Sequence, residues 1–233
     1  MDDTRRQRAW LLGASAVVAV AIVAFAIAIG RAGGGTAGTT TGTPEGIAAT
    51  RALFAGIPQR GKRLGDPRAT VTVTEFADLQ CPFCGKSTRE ELPRVVRRYV
   101  RTGRVKLVFQ NLAFLGSDSL AGARMAAAAA LQNRLWQFVD LVYRNQGEEN
   151  AGWLNDAYLR RVAAGAGLDV RRAFAERRTA IAVALLEQAK AAAKTARVGE
   201  TPTFVISRPG SGPKRVTGAG DLAGPIDEVL SGP

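Results

Sequence analysis

The only two thiols in the chain stand three residues apart, in Cys81-Pro82-Phe83-Cys84. Where a strand hands over to a helix at the first cysteine, such a pair can close a disulfide and reopen it. The first sulfur then sits at the helix N-terminus, where unpaired N–H groups and the positive end of the helix dipole favour a thiolate. The second falls on the same face of the first turn. The expected chemistry is dithiol-disulfide exchange, with Cys81 and Cys84 as the redox pair and no cofactor.

Composition narrows the alternatives. The 233 residues include no histidine, which excludes Ser-His-Asp triads, Cys-His dyads, His-ligated zinc and haem attachment through Cys-x-x-Cys-His. Two cysteines cannot complete a structural zinc site, so no metal is expected. The formal charge is +12. Basic residues run from Arg51 to Arg215, in doublets such as Arg97-Arg98 and Arg171-Arg172, without interleaved aromatics. They read as a solvated surface, with no nucleic-acid partner. A monomer is expected.

The elements that must position the cysteines follow from hydrophobic patterning. Residues 71–76 alternate β-branched and polar side chains, a strand that feeds through Asp78-Leu79-Gln80 into the cysteines. Residues 86–100 supply a helix kinked at Pro93, and residues 105–110 a second strand. Strand, helix, strand in this order implies a parallel pair with a right-handed crossover. From Ser119 to Arg197 the pattern is helical. Leu120, Ala123, Ala127, Leu131, Leu135, Phe138 and Val142 predict one long amphipathic helix. Two shorter helices are expected at 155–163 and 170–177, and another long one at 181–196. Trp136, Phe138 and Tyr143 are expected in the core. Thr201-Pro202-Thr203 opens a strand at 203–206 that pairs with 215–217, and residues 226–230 suggest a terminal helix.

The N-terminal region has a different character. Residues 1–8 carry Arg5, Arg6 and Arg8, and residues 9–29 hold no charge. At ~1.5 Å per residue that stretch reaches ~30 Å, enough to cross a bilayer. The arginine bias predicts a cytoplasmic N-terminus and an extracytoplasmic domain. A single-pass anchor in the cell membrane is expected; the alternative is a cleaved signal peptide, whose apolar region is ordinarily shorter. Residues 30–63 are expected as a Gly/Thr-rich flexible tether and a short extension. In the extension, residues 47–57 make a turn or two of helix, and Pro58, Gly61, Gly65 and Pro67 break regular structure. The main domain is expected over 64–233.

With the strand, Cys81-Pro82-Phe83-Cys84 and a distant Thr201-Pro202-Thr203 together, residues 64–230 resemble the DsbA-like branch of the thioredoxin superfamily, in its membrane-anchored bacterial form. The resemblance implies an α/β, thioredoxin-like fold with an inserted all-helical subdomain at about 117–197, preceded by an N-terminal transmembrane helix. It implies that Pro202 is cis and faces the cysteines, and that the backbone at Thr201 pairs with an extended substrate beside Pro82 and Phe83. It also implies that Glu75 is buried beneath the pair and exchanges a proton with Cys84. Taken from the residues alone, Glu75 reads as one face of an alternating strand, expected solvated, and Pro202 as trans. The implied activity is oxidation of thiols in exported proteins, with electrons passing to a quinone-linked membrane oxidoreductase of the DsbB or VKOR type. Phe83 departs from the pattern, since many members carry His there. The direction of electron flow therefore stays open. A disulfide reductase or isomerase, or a non-enzymatic tethered peptide-binding or chaperone-like module, are the alternatives.

Overall fold

A computed structural model of the chain describes residues 42–232. Among these residues six strands form one sheet: β1 (Gln59–Arg60), β2 (Arg63–Leu64), β3 (Val71–Ala77), β4 (Val105–Asn111), β5 (Thr203–Ser207) and β6 (Lys214–Thr217). Their spatial order is β1-β2-β4-β3-β5-β6. The expected parallel pair is present, with β3 and β4 in register from Val71 opposite Val105 to Ala77 opposite Asn111. On its other side β3 runs antiparallel to β5, Phe76 opposite Thr203. β3 is thus paired along both edges, and its β-branched residues suit the pleated, largely buried surface it occupies.

The helices are α1 (Ile47–Phe54), α2 (Pro82–Glu90), α3 (Leu92–Val95), α4 (Ser117–Leu131), α5 (Leu135–Arg144), α6 (Asp156–Gly165), α7 (Val170–Glu176), α8 (Ala180–Thr195) and α9 (Ala223–Ser231). Pro93 acts as expected on the first crossover: α2 stops at Glu90 and α3 starts afresh with Pro93 in its first turn, where a missing N–H costs nothing. A π-helical turn, Val96–Val100, completes the crossover.

The helical insert occupies α4 to α8. Ala126 through Ala130 of α4 are all buried; side chains no larger than a methyl let neighbouring helices approach on several faces. The starts of α6, α7 and α8 are set by Asn155, Asp169 and Thr179, whose side chains accept from the amides of Tyr158, Arg172 and Ala182.

Two expectations need correction. The single long helix through Leu120 and Val142 is in fact α4 and α5, broken at Asn133, whose φ of 55° is left-handed. Leu120, expected on the core stripe, is exposed. The break receives the β1–β2 hairpin: Asn133 Oδ1 accepts from the Gly61 amide at 2.8 Å, and Gln59 Oε1 accepts from the Trp136 amide at 2.9 Å. The sheet therefore begins at Gln59, within the segment expected to be irregular. Residues 47–57 do supply the expected helix, α1, with Leu53 and Phe54 buried; each such side chain contributes about 1.5–3 kcal/mol by leaving water. Thr50 Oγ1 donates to the buried Asp140 carboxylate, which also accepts from Arg144 Nε at 2.7 Å.

Trp136, Phe138 and Tyr143 are buried as expected. Among the described residues no helix is long and apolar enough to cross a membrane. The expected span at 9–29 and most of the tether lie outside the described residues.

Candidate active site

β3 ends at Ala77, and a turn closed by the Cys81 amide donating to Asp78 O at 3.0 Å delivers the chain to α2. Cys81 is the N-cap of α2, in extended conformation, and Pro82 occupies the first turn. A cysteine in the position usual for Ser or Asp makes its sulfur the acceptor of the helix's unpaired amides. Accordingly the Cys84 amide donates to Cys81 Sγ at 3.3 Å. Both cysteines are thiols in this structure.

The two sulfurs have opposite environments. The Cys84 thiol is the main influence on Cys81, helped by the Thr201 side chain and the amides of Cys84 and Phe83; against the cost of burial they bring the Cys81 thiol down to about 6. Cys84 is fully buried, and burial pushes its thiol far above the ordinary range. One thiol is thus an anion near neutrality and the other holds its proton.

Across from the pair, the Thr201-Pro202 bond is cis and Pro202 is buried. In the thiol form Cys81 Sγ donates to the carbonyl oxygen of Thr201 at 3.4 Å, a bond given up when the sulfur ionises. Glu75 is buried on β3, and desolvation raises its carboxyl to about 8. Solvation was the outcome expected from strand alternation alone; the resemblance gave the observed one. A cavity of about 10 Å³, lined by Glu75, Ser87, Thr88 and Trp136 among others, adjoins it. That is at the lower limit for one water molecule. Phe83 is 62% exposed beside the sulfurs, and Pro82 is exposed.

This assembly of strand, N-capping cysteine, buried partner and facing cis-proline agrees with the sequence comparison, in which the profile of the family described as Thioredoxin matches residues 59–209. The chain belongs to the thioredoxin family. Over 98 residues, 41% of this chain and 45% of the relative, it is 37% identical to the "Probable disulfide bond formation protein D" of Bacillus cereus. Over 155 residues, 64% of this chain and 22% of the relative, it is 34% identical to "Na(+)/H(+) antiporter NhaA 3" of Salinispora tropica. The match thus spans less than half the length of either curated relative. The solved structure of oxidised BdbD from Bacillus subtilis superposes with a TM-score of 0.66 at 20% identity, covering 82% of this chain and 97% of that one.

Around this thioredoxin-type centre the structure adds residues that sequence reasoning missed. Gln146 Nε2 donates to the carbonyls of Leu79 and Cys81 at 3.0 Å each. Gln80 Oε1 accepts from the Asn150 amide at 2.8 Å. Tyr143, taken only as core, donates its hydroxyl to Asp78 O at 3.0 Å. The helical insert therefore grips the segment before Cys81 directly. Asp at position 78, three residues before Cys81, was the one visible sign, since Asx residues close turns on themselves.

Proposed function

We propose that this protein is an extracytoplasmic thiol:disulfide oxidoreductase that oxidises thiols of exported proteins through a Cys81–Cys84 disulfide. The opposed environments of the two sulfurs carry this reading: Cys81 titrates at about 6 while Cys84 is buried and protonated. A pair so arranged has one good leaving group and one group that closes or opens the ring.

In the oxidising direction a substrate thiolate attacks Cys81 Sγ of the disulfide. The Cys81–Cys84 bond breaks, a substrate–Cys81 disulfide forms, and Cys84 leaves with the electron pair. Its buried sulfur requires a proton. Glu75, protonated at neutral pH because burial raises it to about 8, supplies one directly or through water. A second substrate thiolate then attacks the substrate sulfur and expels Cys81 as a stabilised thiolate. Two electrons have passed from substrate to protein. A quinone-linked membrane oxidoreductase of the DsbB or VKOR type accepts them as the disulfide reforms.

The backbone at Thr201, whose carbonyl already meets Cys81 Sγ, pairs with an extended substrate segment beside Pro202, Pro82 and the exposed Phe83. Residues 9–29 anchor the protein in the cell membrane with its N-terminus cytoplasmic. The similarity to a stretch of a protein named as an antiporter fits a domain that works beside a membrane. Incubating the oxidised protein with a reduced dithiol peptide tests the activity. One peptide disulfide is expected per protein disulfide consumed, with Cys81→Ser inert; an oxidised wild-type protein that leaves the peptide reduced overturns it.

A further inference from the structure

The mechanism leaves one buried carboxylate beside the cysteines unused. Asp78 stands just past the end of β3 and is fully buried. Its Oδ1 accepts from the Ser119 hydroxyl at 2.6 Å and the Gln80 amide at 2.9 Å. Its Oδ2 accepts from the amides of Phe114 and Leu115 at 3.0 and 3.1 Å. Four donors on two oxygens make the group an acceptor throughout, the condition on which a buried carboxylate is tolerated. The carbonyl of the same residue takes the Cys81 amide at 3.0 Å.

Asp78 is thus bonded into two segments at once. One is the turn from 78 to 81, which decides where the Cys81 side chain leaves the backbone. The other is the loop after β4, continued by the first turn of α4. Gln80 doubles the tie, its Nε2 donating to Leu115 O and Ser119 Oγ at 3.0 Å each. The position fixed in this way is narrow. Cys81 Sγ is 3.3 Å from the Cys84 nitrogen, and a small rotation of the turn takes the sulfur off that amide.

We propose that Asp78 is a positioning residue for the exchange reaction: by tying the turn before Cys81 to the loop at 112–119, it holds the Cys81 sulfur on the N-terminus of α2. This rests on Cys81 being the exchanging thiol. Losing the carboxylate has two opposed consequences. Freeing the turn takes the sulfur away from its amide donor and raises the thiol's titration midpoint. Removing a negative charge from a site shared with Glu75, Cys84 and Tyr143 lowers it. The sign separates positioning from electrostatics alone.

The test uses the full chain with Asp78→Asn, which presents an N–H₂ to the Phe114 and Leu115 amides, and with Ser119→Ala, which removes one buried hydroxyl at almost unchanged volume. Cys81 is titrated by thiolate absorbance, and exchange with a reduced dithiol peptide is timed. The midpoint is expected to rise by about one unit in Asp78→Asn and by less, in the same direction, in Ser119→Ala, with exchange in the former slowed by ~10-fold. A lowered midpoint in Asp78→Asn, or an unchanged one in both variants, overturns the proposal while the wild type still exchanges. Wild-type protein inert toward the peptide overturns the functional reading instead.

Discussion

Cys81 Sγ lies 3.4 Å from the carbonyl oxygen of Thr201, a residue 120 positions further along the chain. Another neighbour of the sulfur, the Cys84 amide, belongs to its own helix. The nucleophile is therefore held between a helix end that favours its anion and a strand start whose backbone is available to an extended peptide. That pairing of a leaving group with a docking edge is what the functional reading requires.

The asymmetry of the two thiols is directly measurable. At pH 7 iodoacetamide is expected to modify one thiol per reduced chain, with a rate profile whose midpoint is near the Cys81 value of about 6. Cys81→Ser should leave the chain unreactive until it unfolds. Because the folded value lies below the unfolded one, the anion's contribution to the reduced state is present at alkaline pH and is lost as pH falls through about 6. Two equally reactive thiols in the folded chain contradict this account.

Glu75 makes the opposite contribution. Its carboxyl is raised from 4.5 to about 8 by burial, so between those values the folded state binds more protons than the unfolded one. Stability therefore falls as pH rises across that window. Glu75→Gln is expected to match the native chain near pH 4 and to exceed it above pH 8 by several kcal/mol, at most about 5. Denaturant midpoints across this range decide it; parallel profiles for the two chains refute a buried Glu75.

Phe83 offers a test of direction. It is 62% exposed, so Phe83→His should change stability by no more than about 0.5 kcal/mol. An imidazolium beside Cys81 stabilises the thiolate and hence the reduced pair. In equilibrium with a glutathione couple, the variant should move toward the reduced form, each tenfold change corresponding to ~30 mV. An unmoved equilibrium places Phe83 too far from the sulfur to matter.

Helix α1 is held by a buried polar contact. Thr50 donates to Asp140, whose Oδ1 has no partner among the described residues. Thr50→Val leaves the carboxylate with Arg144 as its remaining donor among the described residues and is expected to cost about 1–3 kcal/mol, measured by urea unfolding, with the reduction potential unchanged. A shift in potential would tie α1 to the redox centre after all.

Much of this is legible in the sequence. The strand at 71–76, the cysteines at a helix start and the Thr-Pro entering a strand carry local patterns, and they sit where those patterns put them. Glu75 is instructive, because it shares the parity of the buried Val71 and Val73. Taken from the residues alone it is expected solvated, and its burial was implied only by the resemblance; the side-chain parity of β3 is the physical reason the resemblance holds there. The break at Asn133 escaped notice because Leu135, Phe138 and Val142 keep helical spacing across it. The β1 and β2 strands of two residues each are too short to show any period. Gln146 and Ser119 were invisible for a different reason: their partners lie 65 and 41 positions away, and polarity alone does not report such a distance.

The reading of Cys81 and Cys84 as an oxidising pair is tested most directly by acid-trapping the thiols in growing cells and counting those left free for alkylation. A pair found mostly as the disulfide at steady state is the predicted result. A pair found mostly reduced contradicts it and assigns the protein to reduction or isomerisation.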